Sequence, residues 1–110
     1  MPMIVYRGKL NDKEEVIIAP GPTDESRPHE IIRAKVVNKA TAAVTVVVFT
    51  RVGSDTYEEF RGSLAANEAW AYEAPERGGM MLERPQVSLR AAMTATATGA
   101  QPTFVVQVTE

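Results

Sequence analysis

The sequence predicts an all-β fold, an antiparallel β-sandwich of the immunoglobulin-like or jelly-roll-like kind with about eight or nine short strands. Three observations carry that expectation. Runs rich in valine, isoleucine, threonine and aromatic residues recur along the chain, and VVNKATAAVTVVVF, Val36 to Phe49, is the densest of them. Turn-forming residues punctuate these runs about every eight to twelve positions. No segment has the length and 3.6-residue periodicity of a crossover helix, so a parallel βαβ architecture is not expected. A chain of 110 residues fits one domain, residues 1–110. With 45% hydrophobic and 24% charged residues, it has enough apolar material to fold rather than stay disordered.

The elements follow in order. MIVYRG, Met3 to Gly8, reads as a strand, and residues 1–8 are a candidate edge strand or assembly arm. Asn11-Asp12 has turn chemistry, and EVIIA, Glu15 to Ala19, is the second strand. PGPTDESRPH is a loop, because its prolines fix φ and remove backbone donors. EIIRAKVV, Glu30 to Val37, alternates, with Ile32, Ala34 and Val36 on one face and Ile31, Arg33, Lys35 and Val37 on the other. AVTVVVF places Val44, Val46 and Val48 on one face and Thr45, Val47 and Phe49 on the other. Both faces are apolar, as in a central strand. The NKATA link between these two strands predicts a hairpin.

Gly53-Ser54-Asp55 is a turn before a short strand at Tyr57 to Phe60. The alanines and glutamates of GSLAANEAWAYEA favour a helix, yet Trp70 and Tyr72 alternate with Ala69, Ala71 and Glu73. A turn at Ala66-Asn67 and a strand from Glu68 to Glu73 reconcile these signals. A short strand starts at Met80, Gln86 to Met93 alternates through Val87, Leu89 and Ala91, and Gly99 to Pro102 is a turn. TFVVQVTE closes the chain, with Phe104, Val106 and Val108 opposite Thr103, Val105 and Gln107.

The residue inventory excludes several chemistries. There is no cysteine, so neither disulfides nor thiol chemistry enter. His29 is the single histidine; it reads as a loop residue beside a proline, and no histidine metal cluster can form. Glu14-Glu15 and Glu58-Glu59 are adjacent on strand segments, so each pair splits across two faces and does not form a facing carboxylate pair. Asp12, Glu14 and Asp24 lack the spacing of an EF-hand loop. No catalytic residue, cofactor or metal is assigned, and the chain is read as a non-enzyme. The formal net charge of −2 supplies no general basic field for phosphates, so direct nucleic-acid binding is not expected. Arg7, Arg33, Lys35 and Arg90 are nevertheless candidates for a local basic stripe. The longest apolar run, AAVTVVVF, falls far short of the roughly 18 residues of a membrane span, and MPMIVYRGKL lacks the pattern of a signal peptide.

RAKVVNKATAAVTVVVF, LAANEAWAYEA and LERPQVSLRAAM together resemble small β-sandwich accessory proteins of tailed-phage virions over about residues 30–110. The features are a strand ending in Asn38, a Val/Thr-rich strand after it, the Leu64–Glu68 turn before Trp70, and the turn from Leu82 to Gln86. ERPQ stands where many relatives carry a glycine-aspartate turn. The resemblance implies a structural protein present in many copies, made in a host cytoplasm and built into a virion. Its partners would be itself, as a homo-oligomer, and other virion proteins. Candidate interface residues are Met3, Val5, Arg7, Asp24, Arg27, Arg33, Lys35, Trp70 and Tyr72. The alternative from another class is a non-catalytic carbohydrate-binding or adhesion module in which Trp70 and Tyr72 stack on sugar rings.

Overall fold

A computed structural model describes residues 3–109. Nine strands follow one another: β1 (Met3–Lys9), β2 (Val16–Ala19), β3 (His29–Val37), β4 (Val44–Val52), β5 (Asp55–Leu64), β6 (Ala69–Glu73), β7 (Met81–Leu82), β8 (Val87–Met93) and β9 (Thr103–Thr109). They form two antiparallel sheets. One has the order β1-β9-β3-β6, with the short β7 also pairing β3; the other has the order β2-β8-β4-β5. Met1, Pro2 and Glu110, which the sequence reading assigned to the N-terminal arm and the last strand, lie outside the described residues.

The strand order decides between the two sandwich types. In an immunoglobulin sandwich the first two strands are neighbours in one sheet. Here β1 and β2 belong to different sheets, as do β2 and β3, and β3 and β4. Each sheet alternates early and late strands, which is the double Greek key of a jelly roll. Among the described residues β4 and β5 make the one hairpin of consecutive strands, closed at Gly53-Ser54 with Val52 opposite Asp55 and Gly53 at φ 60°.

The hairpin expected between β3 and β4 does not form. β3 pairs β9, β6 and β7, whereas β4 pairs β5 and β8. The intervening NKATA is a crossover from one sheet to the other. Asn38 organises it from a position with no solvent exposure. Its Nδ2 donates to the Ala42 and Leu64 carbonyls, each at 2.9 Å, and its Oδ1 accepts from the Ala40 amide at 2.8 Å. Its own amide donates to the Glu68 carbonyl, and its carbonyl accepts from the Asn67 amide. A side chain that mimics backbone hydrogen bonding lets the chain leave one sheet without orphaning buried polar groups.

The core lies between the sheets. Ile18, Val46, Val48 and Leu89 come from one sheet, and Ile31, Val36, Val106 and Val108 from the other. Val44, Val46 and Val48 face inward as their alternation predicts. On the outer side of β4, Val47 and Phe49 are also largely buried, and Arg51 lies over the Phe49 ring at 5.6 Å. β4 is central, as its two apolar faces indicate. β3 departs from strict alternation. Its register with β9 shifts between Ile31 and Arg33, so Ile31 joins Ala34 and Val36 in the core instead of Ile32.

One further expectation changes. β5 runs from Asp55 to Leu64, well past Phe60. Gly62 allows this by lying under the Phe60 ring, where an added Cβ would come within 2.9 Å of ring carbon Cζ. The alanine-rich stretch forms the expected turn at Ala66-Asn67 and strand through Trp70 and Tyr72. The turn is closed by Glu68 N–H donating to the Ala65 carbonyl, with Asn67 at φ 66°. Among the described residues no helix is long and apolar enough to cross a membrane.

Candidate assembly surface

Strand pairing brings scattered residues together on the outward face of the β1-β9-β3-β6 sheet. In an antiparallel sheet, directly paired residues point to the same side. β1 pairs β9 without a break from Met3–Thr109 to Lys9–Thr103. β9 then pairs β3, and β3 pairs β6. The result is a set of rows across the sheet. One row is Met3, Thr109, Glu30 and Met81; the next is Val5, Gln107, Arg33 and Glu73. Then come Arg7, Val105, Lys35 and Ala71, and finally Lys9, Thr103, Val37 and Ala69.

Five of the nine residues singled out from the sequence meet on this face: Met3, Val5, Arg7, Arg33 and Lys35. Met3 is 53% exposed and Val5 42%, high for side chains of their apolarity. Lys9 extends the positive charge, so four cationic side chains lie in three adjacent rows. Arg33 Nε reaches Glu73 Oε1 at 3.7 Å, but both side chains are well exposed and that ion pair stabilises little. Arg90, the fourth member of the expected basic stripe, sits on β8 in the other sheet, where its Nε donates to Ser88 Oγ at 3.0 Å. Lys9 and Val105 were not singled out. The alternation in TFVVQVTE groups Val105 with Thr103 and Gln107, and the β1–β9 pairing shows that this side faces outward beside Arg7.

Trp70 and Tyr72 point the opposite way. Both are half-buried and pack against the core from β6. The Trp70 ring stacks on Phe60 with centroids 5.9 Å apart, which covers one of its faces, and the Tyr72 hydroxyl accepts the Met80 amide at 3.0 Å. A sugar platform needs ring faces open to solvent; these rings close the end of the sandwich instead.

Asp24 and Arg27 lie apart from the sheet face, in the loop before β3. With Pro22, Thr23 and His29 they line an open pocket of about 170 Å³. His29 is not a loop residue: it begins β3, is only 8% exposed, and its buried Nδ1 meets no hydrogen-bond partner among the described residues. The Ser26 hydroxyl and amide both donate to Asp24 Oδ1, at 2.7 and 2.9 Å. These bonds favour the ionised form and hold the Asp24 carboxyl below its ordinary 3.8, with nearby Arg27 adding to the effect.

The carboxylate pairs are engaged separately. Glu15 pairs with Arg51, Glu58 with Arg61 and Glu59 with Thr50, while Glu14 bonds Asn11. The Arg61 hydrogen bond keeps the Glu58 carboxyl below its ordinary value. Asp12 is bonded to the Gln101 side chain. Among the described residues no group of three or more histidine, aspartate or glutamate side chains is placed to hold a metal ion.

No family model and no curated protein matches the chain. Solved structures give distant likenesses. The chain is similar to PirA at 8% identity, covering 96% of this chain and 90% of that one, with a TM-score of 0.48. It is similar to the Tobacco streak virus coat protein at 11% identity, covering 100% and 88%, with a TM-score of 0.48. For the Yersinia pseudotuberculosis-derived mitogen the identity is 17%, the coverage 98% and 85%, and the TM-score 0.41. Likenesses at this level carry no weight on what the chain does.

Proposed function

We propose that this jelly roll is a structural protein of a phage particle, assembling in multiple copies through protein–protein contacts at the head, neck or tail. The observation that carries the reading is the outward face of the β1-β9-β3-β6 sheet. It sets exposed Met3 and Val5 beside exposed Arg7, Lys9, Arg33 and Lys35 in adjacent rows. Apolar side chains held in open rows on a rigid sheet are what a protein partner covers, and flanking cations set orientation and exclude wrong partners. Jelly rolls serve as capsid, lectin and cupin domains alike, so the topology is compatible with this role without selecting it. The resemblance of residues 30–110 to phage accessory proteins supplies the virion assignment, with synthesis in the host cytoplasm and assembly alongside other virion proteins.

Sedimentation velocity with negative-stain imaging of the purified chain tests the reading. The expected result is a closed multimer of defined copy number, since many weak symmetric contacts add by avidity. A monomer across the whole concentration range, with no ring or lattice on the grid, would defeat it.

A further inference from the structure

Among the described residues β1 is the one edge strand that is both long and regular. It has seven residues, contains no proline, and pairs β9 with no register shift. The other edges are blunted. β2 has four residues and a bulge, β5 is bulged and carries Glu58, Glu59 and Arg61, and the β6 and β7 edge is split into five- and two-residue pieces. An unblunted edge offers a row of free backbone donors and acceptors to another strand.

We propose that this edge binds the same edge of a second copy, antiparallel about a two-fold axis at Tyr6, so that the two sheets join into one. The inference rests on the multimeric reading above and names one of its contacts. Antiparallel pairing across a dyad must match residues of like parity, because alternate residues point their backbone groups outward. Centring on Tyr6 pairs Met3 with the partner's Lys9, Ile4 with the partner's Gly8, and Val5 with the partner's Arg7. This is the register that uses the whole strand. Shifting the centre to Arg7 would place two arginines face to face, and a parallel pairing in register would oppose Arg7 to Arg7 and Lys9 to Lys9; like charges directly opposite are destabilising. Centring on Val5 would pair only residues 3–7 of the described strand.

The Tyr6 register also accounts for the two exposed apolar side chains. Met3 and Val5 would lie under the aliphatic stems of the partner's Lys9 and Arg7, whose charged ends stay in water.

The chain has no cysteine, so register can be read by introduced thiols. A mixture of Val5→Cys and Arg7→Cys chains is oxidised mildly and its dimers weighed by mass spectrometry. The mixed Val5→Cys/Arg7→Cys dimer is expected to dominate. Self-linked dimers of either variant dominating instead would overturn the register. A multimer that yields no cross-link would overturn the β1 contact and leave the assembly reading standing; a monomer would end both. In parallel, Val5→Lys puts a cation opposite the partner's Arg7 at two symmetric places, and Val5→Glu puts an anion there. The dimer dissociation constant of Val5→Lys is expected to exceed that of Val5→Glu by roughly two- to thirtyfold, with both variants folded as the parent by circular dichroism. Equal constants would also refute the Val5–Arg7 pairing.

Discussion

Replacing Asn38 with alanine removes three side-chain hydrogen bonds from a position with no solvent exposure. The Ala42 and Leu64 carbonyls lose donors and the Ala40 amide loses its acceptor, in a crossover too tight for the backbone to re-pair them. A hydrogen bond of this kind contributes roughly 0.5–1.5 kcal/mol net, or about 1 kcal/mol for each of the three. The sum is about 3 kcal/mol. For a domain of this length 1 kcal/mol moves Tm by about 4–8 °C, so the midpoint is expected to fall by about 12–24 °C. Asn38→Asp sharpens the test. It keeps the shape and the acceptor to Ala40 but turns the Nδ2 donor into a carboxylate oxygen facing two carbonyls, and it is expected to be at least as damaging as alanine at neutral pH. Urea unfolding of both variants gives the comparison. An Asn38→Ala protein within about 0.5 kcal/mol of the parent, the range of an ordinary surface change, would show that the crossover does not depend on this side chain.

Val46→Asp places a carboxylate at a wholly buried position between Gly62 and Met93. It is expected to abolish cooperative unfolding, and a parent-like thermal transition would remove Val46 from the core. The Asp24 carboxyl should titrate below 3.8 by NMR in the parent and move up towards that value in Ser26→Ala. Because the folded-state value is depressed, the associated stabilisation is present above the unfolded value and lost as pH falls through the folded one. An unchanged midpoint in Ser26→Ala would refute the hydrogen-bond cause.

Strands were legible from the chain because their cause is local. Alternation sorts the residues of AVTVVVF and TFVVQVTE onto two faces, and Asn11-Asp12, Gly53-Ser54 and Ala66-Asn67 mark where the chain reverses. Sheet membership was not legible, because it is decided by pairings between strands distant in sequence. NKATA reads like a hairpin link, since its residues tolerate a turn. It becomes a crossover because Asn38 satisfies Leu64 and Ala42, and Leu64 is 26 positions away. The surface was legible to a similar degree. Arg33 and Lys35 declare an outward face by their charge, and Met3, Val5 and Arg7 alternate on β1. That β9 lies between those strands and joins them into one array follows from the jelly-roll order alone. Trp70 and Tyr72 were the opposite case: their same-side spacing was correct, but period two does not say which side of the sheet is the interior.

The bulge at Ile32 ties core and surface into one arrangement. β3 meets β9 through Glu30–Thr109 and Ile31–Val108 before the shift and through Arg33–Gln107 after it. Val108 and Ile31 are fully buried and Gln107 faces outward. Were Ile32 held in a regular ladder instead of bulged, strict alternation would carry Ile31 and Arg33 to the same side. Either the isoleucine would be expelled from the core or the arginine drawn into it, at the cost of a buried charge. The bulge removes that conflict, and so it also fixes Arg33 in the row of Val5 and Lys35 in the row of Arg7. The cationic face beside the β1 edge is thus a consequence of how the core packs. A deletion of Ile32 would leave Ile31 and Arg33 adjacent on opposite faces of a regular ladder, so both pairings should survive it, and a surface change such as Val5→Glu should alter association while leaving the core intact.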